Sequence, residues 1–179
     1  MTLVLSGNTG SALDGIKNSL MFLETAQATT SGTSINFTGI PSWAKKITVM
    51  FNGVSTNGTS AVQIQLGSGS VENTGYSGVT ITYNSTGNSS STATAGVLLD
   101  NGTAPVAAAT RVGHVTFTLL GTNIWIQTGV YTYSNTTIAA SSAYSKTLSG
   151  TLDRVRITTV NGTDTFDNGS VNILIEGYV

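Results

Sequence analysis

Apolar and polar residues alternate along much of this chain, and the alternation is cleanest between Lys45 and Val54. There Ile47, Val49 and Phe51 fall on one side of an extended backbone, and Lys46, Thr48 and Met50 on the other. That two-residue period is the mark of a strand with one buried face. A shorter polar strand, Thr33 to Phe37, precedes it, and Gly39-Ile40-Pro41-Ser42-Trp43 lies between the two. Pro41 has a fixed φ and no N–H to give a ladder, so it belongs at a corner, where Trp43 is placed to cover the end of a core.

The same period recurs downstream. Gln63 to Gly67 and Val79 to Tyr83 read as half-buried strands. Arg111 to Leu120 and Ile124 to Tyr133 make the strongest hairpin, joined by the short turn Gly121-Thr122-Asn123. Both of its strands are apolar on both faces: Val115, Phe117 and Leu119 on the first, Ile124, Ile126 and Val130 with Trp125 opposite on the second. Such strands lie inside a sandwich or face another subunit. Thr136 to Ser145, Thr151 to Val160 and Ser170 to Val179 continue the series. Val97 to Asp100 and Pro105 to Ala109 are ambiguous. Gly67 to Gly78 reads as a turn-rich link, Asn84 to Gly96 as an exposed loop, and Asn161-Gly162 and Asp167-Asn168-Gly169 as turns. Nine or ten short strands separated by turns predict an all-β fold, an antiparallel β-sandwich of jelly-roll type.

Residues 1–27 break the pattern and are expected to form an N-terminal arm, with the sandwich over 28–179. Leu13, Ile16, Leu20 and Leu23 keep a roughly helical spacing, which suits a short helix or coil. The sharper alternative is an attachment segment whose Leu3, Leu5, Leu13, Ile16, Leu20 and Leu23 pack on a partner.

Thr, Ser, Asn and Gly make up 87 of the 179 residues, which suits turns and solvated strand faces and suits helix interiors poorly. Charge is sparse, with 7 Lys+Arg against 8 Asp+Glu, and no basic cluster exists of the kind that grips nucleic acid. Lys45-Lys46 and Arg154-Val155-Arg156 are the nearest approaches, and neither makes a patch alone. The absence of cysteine removes disulfides and thiolate metal sites. The opening MTLVLSGNTGS lacks the basic start and length of a signal peptide, and no apolar run is long enough for a membrane span.

Candidate chemistry is thin. His114 is the only histidine, and no G-x-S-x-G elbow accompanies it, so a strand-surface or interior role is expected and no catalytic residue or cofactor is assigned. Asp164 and Asp167 flank Thr165-Phe166 in an oxygen-rich loop that lacks the EF-hand rhythm; calcium binding and a self-bonded turn both stay open. The eight N-x-[S/T] triplets, from Asn36 to Asn168, are expected by chance in this composition. Tyr76, Tyr83, Trp125, Tyr131 and Tyr133, with Tyr144 and Tyr178, suit either sugar stacking or a sheet face or interface.

Two stretches carry a resemblance. IPSWAKKITVMFNGVSTNGTS, within Ser31–Ser60, and LDRVRITTVNGTDTFDNGSVNIL, within Ser149–Ile175, resemble a module of tailed-bacteriophage virion proteins. That module often forms the carboxy-terminal part of tail fibres and related appendages. The resemblance implies a β-rich, non-enzymatic structural or receptor-binding module, commonly a homotrimer, assembled in the host cytoplasm into the virion. It implies other virion proteins as partners and host-surface glycan as a further contact. In fibres the module usually follows a long shaft, whereas about thirty residues precede it here. The expectation is therefore a small fibre tip, with a capsid decoration (cement) protein or a carbohydrate-binding module as alternatives.

Overall fold

The backbone hydrogen bonds of the alternating segments close into two antiparallel sheets. The structure is a computed structural model, and it describes residues 19–101, 107 and 109–178. The strands in chain order are β1 (Ser19–Leu23), β2 (Gln27–Ala28), β3 (Ser34–Thr38), β4 (Ala44–Thr56), β5 (Val62–Ser68), β6 (Ser70–Val71) and β7 (Tyr76–Asn84). They continue with β8 (Gly87–Thr92), β9 (Val97–Leu98), β10 (Arg111–Gly121), β11 (Ile124–Tyr133), β12 (Ala139–Thr147), β13 (Arg154–Thr159) and β14 (Phe166–Tyr178). A nine-stranded sheet runs β1-β14-β4-β10-β11-β12-β7-β8, with β2 also on β14. A five-stranded sheet runs β3-β13-β5-β6, with β9 also on β5.

One apolar core joins the two sheets. Ile47, Val49 and Phe51 of β4 enter it as their alternation predicted, beside Val115 and Phe117 of β10 and Val171, Ile173 and Ile175 of β14. Ile35 and Phe37, Ile64 and Leu66, and Val155 and Ile157 enter the same core from the smaller sheet. Removing that many aliphatic and aromatic side chains from water is the main favourable term in the fold. Pro41 sits at the corner before β4, its carbonyl accepting from Ala44 N at 3.0 Å, and Trp43 packs on the core's edge. The all-β antiparallel architecture is thus as the periodicity predicts. Its division into nine and five strands differs from the eight-stranded double Greek key of a simple jelly roll.

Several local expectations fail for identifiable reasons. Leu20 and Leu23 lie on strand β1, not on a helix: the open edge of β14 offers backbone partners, and the register sets Leu23 against Leu174. Leu3, Leu5, Leu13 and Ile16 lie outside the described residues. The supposed loop Asn84 to Gly96 contains β8, which folds back on β7 through Ser85-Thr86, with Asn84 Oδ1 accepting from Thr86 N at 2.8 Å. An edge strand that covers no core has no need of apolar residues, so its composition resembled a loop. Gly67 to Gly78 holds the short β6 and the start of β7. Asp167-Asn168-Gly169 lies inside β14, where the register against β4 slips twice and Gly169 has φ 91°. A bulge and a turn share the same Gly/Asn chemistry. β5 is buried on both faces, including Gln63 and Gln65, where half-burial was expected.

Candidate functional site

Strand alternation sends most of the candidate aromatics inward. Tyr76, Trp125, Tyr131 and Tyr133 are buried, as is Tyr144, so they are not available to stack on a surface sugar. Their hydroxyls serve the interior: Tyr76 OH accepts from Leu66 N at 2.6 Å, linking the two sheets, and Tyr131 OH donates to Leu98 O at 3.3 Å. Burial pushes the Tyr76 and Tyr131 phenols well above the ordinary tyrosine range. Of the five leading candidates only Tyr83 stays exposed, its hydroxyl bonded to Ser141 Oγ at 2.9 Å.

Asp100 and Arg111 form a cluster that sequence reasoning missed. Their ion pair, at 2.9 Å, is fully enclosed, with side-chain exposures of 0% and 1%. Arg111 Nε also donates to the carboxylate, and Nη1 donates to Ala109 O at 3.1 Å and Val54 O at 3.4 Å. The carboxylate accepts further from Val62 N at 2.8 Å and from Tyr133 OH. Every nitrogen of the guanidinium is used, so the cluster fastens the segment that follows β9 to β10, β11 and β5 and leaves no group facing a ligand. The signal available was an acid closing the apolar run Val97-Leu98-Leu99 and an arginine opening a strand.

Asp164 and Asp167 serve different partners. Asp164 accepts from Ser60 N at 2.9 Å and Asn161 Nδ2 at 2.6 Å, while Asp167 accepts from Ser55 Oγ. Among the described residues no group of three acidic or histidine side chains is placed to hold a metal ion. His114 lies on the exposed face of β10, opposite Met50 and Val130. The described residues contain no helix, hence none long and apolar enough to cross a membrane.

A different arrangement lies on the outer face of the smaller sheet. Antiparallel pairing sets Arg156 against Gln65 and Thr158 against Gln63. Residues 93–96 cross this face, and Gln65 Nε2 donates to Ala95 O at 2.9 Å. The result is a recess of about 260 Å³ lined by Gln63, Gln65, Asn73, Arg156, Thr158 and Asn161, among others. Gln63 is 4% exposed, and its Nε2 donates to Thr159 O at 3.5 Å. Gln63 Oε1 and Arg156 Nε then have no partner among the described residues. Four of the six described Lys and Arg side chains pair with carboxylates, and Lys45 lies 5.6 Å over the Tyr178 ring. Arg156 alone has neither. A second, more apolar cavity of about 420 Å³ adjoins the recess, sharing Gln63 and walled by Ala61, Ala93, Leu98 and Val160.

The outer face of the larger sheet is unlike either cluster. One row across it reads Leu174, Thr48, Thr116, Thr128, Ala143, Val79, and the next Asn172, Met50, His114, Val130, Ser141, Ile81. The row below holds the Lys46–Glu176 pair, at 2.8 Å. Eight of the nine exposed large hydrophobics among the described residues belong to this sheet, Met21 (70%) and Val130 (63%) among them. Comparisons with family models, curated proteins and solved structures find no match for the chain.

Proposed function

We propose that the chain is a non-enzymatic structural protein of a tailed-phage virion, a fibre-type appendage built by association of identical copies as a homotrimer. The observation that carries this reading is the outer face of the nine-stranded sheet. It is broad, carries the single ion pair Lys46–Glu176, and presents Met21, Leu23, Tyr83, Ile126, Val130 and Tyr178 among the exposed large hydrophobics of the described residues. A sheet face that mixes apolar side chains with Thr, Ser and Asn and is depleted of charge has the composition of a subunit interface. A neutral face meets its own copy without like-charge repulsion, as self-association requires. The resemblance of Ser31–Ser60 and Ser149–Ile175 to virion appendage modules supports the same reading.

Sedimentation equilibrium of the purified protein at micromolar concentration tests the assembly, with a trimer expected. A stable monomer would overturn it. Density for the chain on the tail in a map of intact particles supports the appendage, whereas density seated on the capsid shell would favour the decoration protein.

A further inference from the structure

Resting on the self-association proposed above, we infer that protonation of His114 separates the copies, so that the assembly holds at neutral pH and loosens in acid. β10 is fourth in a sheet order of eight, with β1, β14 and β4 on one side and β11, β12, β7 and β8 on the other. His114 is exposed on the outer face of β10, between Met50 of β4 and Val130 of β11. It therefore lies near the middle of the face, where an interface is driest and most depleted of charge. Eight strands at about 4.8 Å spacing make the face roughly 34 Å wide, and the four outward rows through Lys46, Thr48, Met50 and Asn52 span roughly 20 Å. That is on the order of 700 Å², close to the roughly 800 Å² each partner gives to a standard interface.

Among the described residues, no titratable group faces His114 from the strands beside it. The positions opposite and diagonal to it are Thr48, Met50 and Asn52 on β4, and Thr128, Val130 and Thr132 on β11. The same row continues with Asn172 on β14 and Ser141 on β12. The nearest charges on the face are Lys46 and Glu176, which neutralise each other at 2.8 Å. Lys46 is four residues along β4 from Met50, about 13 Å away. Beyond that pair the face carries the phenols of Tyr83 and Tyr178. A proton on His114 thus has no carboxylate within reach, and it gives a net charge to a face that has none.

Histidine is the one side chain whose ordinary titration falls between pH 5 and 8. Enclosure between copies disfavours a charged imidazole through lost hydration, and charged histidines of adjoining copies repel. Protons therefore bind the separated chain more readily than the assembled one. Assembly is strongest above that range and weakens as pH falls through it. For three copies with one linked proton each, the association constant falls by up to about a thousandfold per pH unit.

The test is sedimentation equilibrium of the full chain from pH 8 to pH 5 at constant ionic strength, with far-UV circular dichroism at each step. The parent should be a trimer at pH 8 and a folded monomer at pH 5. His114→Gln, which cannot gain the charge, should stay assembled across the range. His114→Lys, charged throughout, should be a folded monomer even at pH 8, and that result decides if acid unfolds the chain. A parent still trimeric at pH 5, acid dissociation that His114→Gln shares in full, or a trimeric His114→Lys at pH 8 would each overturn the proposal and leave the assembly standing. A parent monomeric at pH 8 would overturn the assembly itself, and the switch with it.

Discussion

Arg111 and Arg156 are the same residue type on neighbouring parts of one sandwich, yet their surroundings are opposite. Arg111 is enclosed, and its nitrogens are spent on Asp100, Ala109 O and Val54 O. Arg156 is half-buried beside a buried glutamine amide, and among the described residues it has no acid and its Nε has no partner. A closed polar cluster specifies structure, because any missing member leaves an uncompensated charge in a low dielectric. An incomplete one leaves hydrogen-bonding capacity unused and so contributes less to specifying the structure. The distinction rests on hydrogen-bond completeness and not on residue type or burial alone.

The comparison can be broken most directly at Asp100. Asp100→Ala should cost about 3–5 kcal/mol, read from the urea midpoint, because Arg111 is left buried and unpaired. The double variant Asp100→Leu with Arg111→Met should recover most of that loss. A single variant as stable as the parent would mean the cluster is not the fastener described above.

Gly96→Ala is the next largest, at about 1–3 kcal/mol. A Cβ there would sit 2.8 Å from Gln63 Oε1 and 2.9 Å from Ile64 O, so the wall of the recess must move. An unchanged melting temperature would show that residues 93–96 are not held against β5.

Glu72 provides a case between closed and open, with its pH dependence legible. Burial raises its pKa, but hydrogen bonds from the Lys146 ammonium and from Ser149 outweigh that and leave the carboxyl below its ordinary 4.5. A lowered folded pKa contributes stability that is present above the ordinary value and lost as pH falls through the folded one. Glu72→Gln should therefore cost under about 1 kcal/mol at neutral pH, and the deficit should vanish in acid. A deficit that persists at pH 2–3, read by melting across the acid range, would place its origin in packing instead.

Arg156→Gln should have the smallest effect, within about 0.5 kcal/mol in the same urea titration, since no bond is lost. A cost comparable to Asp100→Ala would erase the contrast and make Arg156 structural.

Much of the fold was legible because local signals and tertiary needs agreed. The hairpin of β10 and β11 follows from two apolar runs about a Gly-containing turn, where Asn123 takes φ 58° as a short turn requires. β4 follows from its alternation alone. β8 and β1 were not legible, since an edge strand needs backbone partners and no hydrophobic period. The aromatics were visible as residues but not as to side: on β11 the positions of Trp125, Tyr131 and Tyr133 face the core and Ile126 and Val130 face out. The recess was hidden for another reason. Arg154 and Arg156 alternate identically in sequence, and only the fold shows that Asp153 neutralises the first, at 2.7 Å, and that no described residue neutralises the second. Gln63 meets Thr159 O across 96 residues of chain, a distance no local pattern spans.

The place of β14 has a consequence for how the molecule comes into being. Strand Phe166–Tyr178 lies between β4 on one side and β1 and β2 on the other, so the earliest described strands join the sheet only through the latest one. Until it emerges from the ribosome, β1 and β2 have no neighbour and the long strand β4 presents an unpaired apolar edge. Contacts of such sequence separation form slowly, on the millisecond-to-second scale of non-local β topologies. An open β4 is a template for the wrong strand during that interval. Synthesis and sheet closure are thereby coupled, and a ribosome stalled before Phe166 would hold out a sheet that lacks one of its interior strands.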